Sequence, residues 1–407
     1  MRAMHRIIEL EDRYCAHNYH PLPVVLVRGE GPYVWDDQGK RYVDMMSAYS
    51  AVSHGHAHPR IVAALIDQAR RLNIVSRAFH TDRLAAFLER ACALTGQDMA
   101  LPMNTGAEAV ETALKAARKW AWQVKGVPDG AAEIIACEGN FHGRTIAVCG
   151  LSTERQYREG FGPFPPGLRT VPYGDAAALE AAITPHTAAF LVEPIQGEGG
   201  IVIPPDGYLA ACADICRRHN VMLIADEIQT GLGRTGRLLA CEHEGVKPDG
   251  LVLGKALGGG VLPVSMFLAR RELMGVFRPG DHGSTFGGNP LAAAVGLEAL
   301  RIIEDEDLAA QSAAKGAWLL GELKKIASPL VREVRGRGLF IGVEIDPAKA
   351  RARAVVERLM ARGLLSKETH ETVVRLAPPL AIPQELLEWS LVQIREVLAE
   401  LAAPAHA

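Results

Sequence analysis

The 407-residue chain lacks long apolar runs, any marked excess of charge of one sign, a rich aromatic content and closely paired cysteines. No segment approaches the run of about 18 apolar residues that a membrane-spanning helix requires. Lys plus Arg (44) nearly balance Asp plus Glu (47), a net charge of −3, and no basic block interleaves with aromatics. The electrostatic footprint of a nucleic-acid binder is therefore missing. Residues Met1 to Asp12 hold no long apolar stretch and carry acids early, which fits neither a secretory leader nor an acid-poor transit peptide. The seven cysteines (Cys15, Cys92, Cys137, Cys149, Cys212, Cys216 and Cys241) are odd in number and include no Cys-x-x-Cys. Cys212 and Cys216 stand at helical spacing in an apolar stretch, as small buried hydrophobes do. The cytoplasm is the expected compartment.

What is present is core material. A chain that is 48% hydrophobic and 22% charged is expected to be globular, with two or three domains at this length. Its middle alternates strand and helix. Strands are expected at 132–138, 168–173, 188–194, 221–227, 251–254 and 264–269, with a helix at 208–218. Near-continuous apolar strands separated by helices predict an α/β fold with a mostly parallel sheet covered on both faces. Past residue 290 the pattern changes to helices (290–304, 307–327), an extended stretch (331–346), a helix (347–362), an extended piece (372–376) and a terminal helix (384–401). That is the pattern of a smaller α+β domain. Gly31–Asp44 predicts a hairpin turning at Asp36-Asp37-Gln38-Gly39, with no partner sheet nearby in sequence, so it is expected to join the C-terminal part. The expected division is 1–50 with the small domain, 51–300 as the large domain, and 301–407 completing the small one.

The most informative stretch is Val221-Met-Leu-Ile-Ala-Asp226-Glu-Ile-Gln229, followed by Leu253-Gly-Lys255-Ala-Leu-Gly-Gly-Gly260. Each places a charged group at the carboxyl end of an apolar strand, where open α/β sheets bind ligands. An acid and a lysine at neighbouring strand ends form the pair that pyridoxal phosphate requires. The carboxylate keeps the pyridine nitrogen protonated, and the amine forms the Schiff base with the aldehyde. Asn104-Thr-Gly-Ala-Glu108 opens a helix over 107–120, where Thr105 and Gly106 leave N–H groups for a phosphate. Ser284 and Thr285 add hydroxyls to the same anion. Phe141 suits stacking on a ring and Arg144 suits gripping a carboxylate. Arg375, inside the apolar stretch Thr372-Val-Val-Arg-Leu-Ala-Pro-Pro379, needs an anion of its own.

Three other patterns are read as structural. His54-Gly-His56-Ala-His58 alternates ahead of Pro59 and a helix, which fits a turn better than a metal site. Gly231-Leu-Gly233-Arg-Thr-Gly236 satisfies a dinucleotide-loop spacing but does not follow its strand directly and lacks the ribose acid. Gly250-Leu-Val-Leu-Gly254-Lys255-Ala256 is one residue short of a phosphate-binding P-loop and lacks the Ser or Thr after the lysine.

Leu191-Val-Glu-Pro-Ile-Gln-Gly-Glu-Gly199, Asp226-Glu-Ile-Gln-Thr-Gly231, the Lys255 segment and Gly283-Ser-Thr-Phe-Gly-Gly-Asn-Pro290 together resemble the class III aminotransferases, pyridoxal-phosphate enzymes of fold type I. The resemblance runs from about Asn18 to the C-terminus. Within that class the chain is most similar to the ornithine aminotransferases, through Asn18-Tyr-His-Pro-Leu-Pro23, Ser47-Ala-Tyr-Ser-Ala-Val52 and Leu364-Leu-Ser-Lys-Glu-Thr-His370 with Val374-Arg-Leu-Ala-Pro-Pro379. At one position, His142, the chain matches acetylornithine enzymes instead.

The resemblance implies a homodimer with shared active sites and transfer of the δ-amino group of L-ornithine to 2-oxoglutarate. It makes Lys255 the Schiff-base lysine and proton shuttle, Asp226 the partner of the pyridine nitrogen, and Gln229 that of the ring hydroxyl. Phe141 would stack on the ring and Gly106–Ala107 hold the phosphate, with Thr285 reaching the neighbouring subunit's cofactor. Tyr19 and Arg144 would hold the α-amino and α-carboxylate groups of ornithine, with Tyr49 lining the pocket. Glu198 would mask Arg375 until 2-oxoglutarate arrives. Acetylornithine and 4-aminobutyrate aminotransferases, and a catalytically silent protein on the same fold, remain alternatives. The Tyr19 segment separates the first of these, and the presence of Lys255 and Asp226 argues against the last.

Overall fold

The computed structural model describes residues 2–403. Three strands come first: β1 (Leu26–Glu30), β2 (Tyr33–Asp36) and β3 (Arg41–Asp44). The central sheet is made by β4 (Met99–Met103), β5 (Glu133–Cys137), β6 (Leu168–Val171), β7 (Thr187–Val192), β8 (Met222–Asp226), β9 (Gly250–Leu253) and β10 (Ser265–Ala269). The C-terminal part adds β11 (Val331–Gly336), β12 (Ile341–Ile345), β13 (Leu364–Leu365), β14 (Lys367–Thr369) and β15 (Val373–Leu376).

The central sheet has the order β4-β10-β9-β8-β7-β5-β6, and only β10 runs against its neighbours. Every residue of β7 and β8 is buried, so their sequences are apolar without alternation, as strands covered on both faces require. Gly106–Trp120 covers one face. A capping box of Thr105 and Glu108 starts it, and Arg118 and Lys119 in its last turn complement the helix dipole. Its buried stripe runs from Ala109 through Val110 and Ala113 to Trp120. Tyr208–Arg218 packs on the other face, against the central strand β8.

The hairpin of β2 and β3 does join the C-terminal part: β3 pairs in parallel with β13, Val43 opposite Leu364. Several details differ from expectation. Strand β4 was not anticipated because Pro102 interrupts its short apolar run; it is tolerated there since β4 is the sheet's edge. Strand β1, mostly exposed, carried no burial signal. The 331–346 stretch is two antiparallel strands turning at Arg337–Phe340, and the helix expected from 347 begins at Ala352. The helix ending at Trp120 runs on into a wider π-type turn at Ala121–Lys125 that no sequence pattern marked.

Candidate active site

Parallel pairing of β8 with β9 puts Asp226 opposite Val252, so the carboxyl ends of both strands open on the same side. Asp226 and Lys255 meet there across a cavity of about 190 Å³. Gly106, Ala107, Phe141, Gly143 and Gln229 share its wall with His142 and Glu193. Lys255 is buried in the left-handed backbone region (φ +46) just past Gly254. Burial pulls the pKa of its amine down against the charges of Glu198, Asp226 and Glu193, which favours the uncharged, nucleophilic form.

Thr105 departs from expectation. Its own N–H donates to Glu108 Oε2 at 2.7 Å, and its hydroxyl accepts from the Glu108 N–H at 3.3 Å. The N–H groups left without a protein acceptor are those of Gly106 and Ala107, one residue further on. A Cβ at Gly106 would lie 2.9 Å from Ile228, and one at Gly143 2.8 Å from Ala107, so glycine keeps this helix start open. Ser284 stands beside it, its Oγ accepting from Asn104 Nδ2 at 2.9 Å, which leaves its O–H free to donate. Thr285 and Phe286 are exposed on the same loop.

Two residues that sequence reasoning missed sit at the floor of the cavity. His142, fully buried, bonds through Nδ1 to Asp226 Oδ2 at 2.7 Å, while its Nε2 has no partner. Burial opposes a charge on His142, but the Asp226 bond and the charges of Asp226 and Glu193 outweigh it and raise its pKa. Glu193 accepts from the N–H groups of Phe141 (2.8 Å) and Gly197 (3.3 Å). Burial pushes its carboxyl up to about 7. A carboxylate directly after a fully apolar strand was a legible signal for Glu193; nothing in the sequence singled out His142 as a partner of Asp226.

The raised Glu193 pKa has a signed consequence. An acid whose folded pKa lies above its unfolded value contributes stability below the unfolded value and loses it as pH rises through the folded one. Relative to Glu193→Gln, the parent is therefore expected to lose stability between about pH 4.5 and 7, by at most about 3 kcal/mol. Thermal unfolding of both proteins from pH 5 to 8 checks this, and parallel curves would refute it.

On one flank of the cavity Arg375, fully buried on β15, donates through Nη1 to Glu198 Oε1 at 2.7 Å and through Nη2 to Gln229 Oε1. Gln229 Nε2 in turn donates to Glu198 at 3.2 Å. Gln229 thus joins the Glu198–Arg375 pair to the cavity wall while keeping one amide N–H spare. Burial alone would raise Glu198, but the charges of Arg375 and Lys255 hold its pKa below the usual range. The Arg375 guanidinium carbon lies 5.1 Å from the centroid of the Tyr49 ring. Tyr49 and the exposed Tyr19 line a neighbouring, largely apolar cavity of about 490 Å³. Arg144 is exposed, its guanidinium over the Tyr157 ring at 3.8 Å and near Phe141 at 5.4 Å.

The three alternating histidines point apart. His54 bonds to the Ala299 carbonyl, His56 to Asp44 and His58 to Glu306.

A buried amine of lowered pKa, a carboxylate on the next strand end and two free N–H groups at a helix start make a donor set that fits pyridoxal phosphate. With the strand order, they define a pyridoxal-phosphate-dependent transferase of fold type I. The family model for class-III aminotransferases matches residues 14–398, and the chain belongs to that family. It is 58% identical to an ornithine aminotransferase of Bacillus subtilis (strain 168), over 96% of this chain and 97% of the relative. Among solved structures, the Toxoplasma gondii ornithine aminotransferase is 45% identical with a TM-score of 0.97, covering 98% of this chain and 94% of that one. That protein was found with partial occupancy of the cofactor at its active site. An acetylornithine aminotransferase from Elizabethkingia anophelis is 46% identical with a TM-score of 0.89, covering 98% and 99%.

Proposed function

We propose that the chain transfers the δ-amino group of L-ornithine to 2-oxoglutarate, giving glutamate 5-semialdehyde and glutamate. The observation that carries this reading is the Glu198–Arg375 pair beside Lys255. A bare Arg375 would attract the α-carboxylate of ornithine and bring the wrong amine to the reacting centre. With Glu198 on it, that attraction is masked, and the α-carboxylate goes to Arg144 with the α-amine at Tyr19. When 2-oxoglutarate enters, its α-carboxylate replaces Glu198 on Arg375 and its other carboxylate takes Arg144. Opening a desolvated ion pair is costly unless a second anion arrives, so one site serves both substrates in turn. The names of the Bacillus and Toxoplasma relatives support the same substrate.

When bound, pyridoxal phosphate supplies an electron sink for the bond broken at the amine-bearing carbon. Lys255 would hold its aldehyde carbon and then move the proton at the substrate carbon. Asp226, oriented by His142, would hold a proton at the pyridine nitrogen. The Gly106 and Ala107 N–H groups, with Ser284, would hold the phosphate, Phe141 would cover the ring face, and Gln229 would donate to the ring oxygen. Thr285, exposed on its loop, would reach the cofactor of a second copy in a homodimer. A cytoplasmic site of action is consistent with this metabolism, and no helix among the described residues is long and apolar enough to cross a membrane.

The test is product analysis with L-ornithine and 2-oxoglutarate: a δ-semialdehyde supports the reading, and an α-keto product overturns it. The second reading, N-acetylornithine as donor, is favoured by the similarity to the Elizabethkingia enzyme. It predicts that N-acetylornithine outcompetes ornithine, whereas here it should be a poor substrate because acetylation removes the α-ammonium that Tyr19 meets. Tyr19→Phe is expected to lower kcat/KM for ornithine about fivefold, the worth of one hydrogen bond discounted for an exposed partner. The glutamate half-reaction should change much less, and an equal loss in both would remove Tyr19 from this role.

A further inference from the structure

The loop Gly231–Gly236 carries Arg234, one of two fully buried arginines among the described residues. Glycines 233 and 236 (φ +93 and +91) let it lie against Ala309 and Ala313 of the helix Leu308–Lys324. Arg234 makes no ion pair among the described residues. Its Nη1 donates to the carbonyls of Leu339 (3.0 Å) and Pro378 (2.6 Å), and its Nη2 donates to Ser53 Oγ at 2.8 Å. Burial pulls its pKa down to about 9, which leaves it charged at neutral pH. A buried charge spent on two carbonyls and a hydroxyl is an expensive way to join chain segments. The segments it joins are informative.

Pro378 lies three residues after Arg375. Ser53 lies four residues after Tyr49, and its hydroxyl donates onward to the Ser50 carbonyl at 2.9 Å. Just ahead of Ser53, Ser47, Ala48, Tyr49 and Ser50 all adopt left-handed backbone (φ +46, +45, +60 and +75), a run that side-chain-bearing residues avoid. Such a turn persists only where its surroundings over-determine it. Upstream it is held by Asp44, whose Oδ1 accepts from the N–H groups of Met46 (2.8 Å) and Ser47 (2.9 Å). Downstream it is held by the relay from Arg234 through Ser53 to Ser50. Backbone bonds from Ala51 N–H to the Ala48 carbonyl (3.2 Å) and from Val52 N–H to the Ser47 carbonyl (2.9 Å) close the turn, and Leu380 N–H donates to the Ser53 carbonyl at 2.8 Å. The buried hydroxyls of Ser47 and Ser50 have no partners, so among the described residues the Ser53 hydroxyl makes the one side-chain hydrogen bond at the downstream end of the turn.

We propose that Arg234 is a positioning residue for substrate selection: by tying Ser53 to Pro378 it fixes the strained Tyr49 turn against Arg375 and so sets the grip on the 2-oxo acid carboxylate. This rests on the reading that Arg375 receives that carboxylate. Glu198, Gln229 and Tyr49 then meet a guanidinium whose place is set from behind. Arg234 and Ser53 make no hydrogen bond to Lys255 or Asp226, so binding of the acceptor should change while the chemistry stays.

Steady-state kinetics of the holoenzyme with ornithine and 2-oxoglutarate test it. Ser53→Ala, which removes only the relay, should raise KM for 2-oxoglutarate about 3- to 10-fold with kcat within about twofold. Ser53→Thr, which keeps the hydroxyl, should restore KM. Arg234→Lys should raise KM at least as much as Ser53→Ala, and if it does not fold, the Ser53 pair decides. A fall in melting temperature in Ser53→Ala with unchanged KM would overturn the proposal, since Arg234 would then only brace the fold. Arg375→Lys serves as the control. If it leaves KM for 2-oxoglutarate unchanged, the carboxylate reading fails and this inference with it; if it raises KM while Ser53→Ala does not, only the inference fails.

Discussion

Replacement of Lys255 by Ala is expected to lower turnover with ornithine and 2-oxoglutarate by about 10²- to 10⁴-fold, the contribution of a positioned proton-transfer group. The loss should be larger than for any other single substitution because two of the proposed roles fall on Lys255. Its amine is the nucleophile that would hold the cofactor, and burial has already shifted it towards the uncharged form that nucleophilic attack needs. In the proposed reaction it would also move the proton at the substrate carbon, and among the described residues no second lysine lines the cavity, while the histidine in its wall, His142, is engaged by Asp226. The visible absorption that the cofactor shows when joined to the lysine should disappear in the variant. Added primary amine should recover part of the rate by supplying a free base. A variant turning over within tenfold of the parent would end the assignment of Lys255, and with it the aminotransferase chemistry proposed for the cavity.

Much of this was legible in residue order, for an identifiable reason. Strands β7, β8 and β9 are buried on both faces, so their sequences are apolar throughout and their charged ends stand out. That contrast marks Asp226 and Lys255 in the sequence itself. The helix start at Thr105 is also visible, but which N–H groups its cap consumes is a matter of geometry. Glu108 reaches back to the Thr105 N–H, and the free pair moves to Gly106 and Ala107. Other features were illegible because they depend on segments far apart in the chain. His142 acquires meaning only when a loop 84 residues away from Asp226 folds under it. Arg234 looked like part of a spurious nucleotide motif, and its acceptors lie 105, 144 and 181 residues away. Strand β4 was hidden by Pro102, which local rules exclude from sheets and an edge position readmits. Periodicity reports which face of an element is buried; it does not report which polar groups meet across the elements.

Asp226→Asn is expected to slow turnover by about two orders of magnitude, or about 2.7 kcal/mol in the barrier. The amide nearly matches the carboxylate in size and can still accept from the Ile228 N–H, which bonds Asp226 Oδ1 at 3.1 Å, so the fold should survive. What it loses is charge. A neutral amide cannot hold a proton at the pyridine nitrogen, and the electron sink weakens when the substrate carbon gives up its proton. The surroundings sharpen the effect. His142 is buried and its pKa is raised through its bond to Asp226, so removing the carboxylate also leaves His142 to burial, which favours its neutral form. Glu193, pushed up to about 7 and on the same floor, is the one other acid lining the cavity among the described residues. It is engaged by the Phe141 and Gly197 N–H groups and so is poorly placed to substitute. Rapid-mixing measurement of the ornithine half-reaction isolates this step from acceptor binding. A rate within a few-fold of the parent would assign the proton at the ring nitrogen to another acid; in Asp226→Asn/Glu193→Gln, a further collapse would identify Glu193 as that acid.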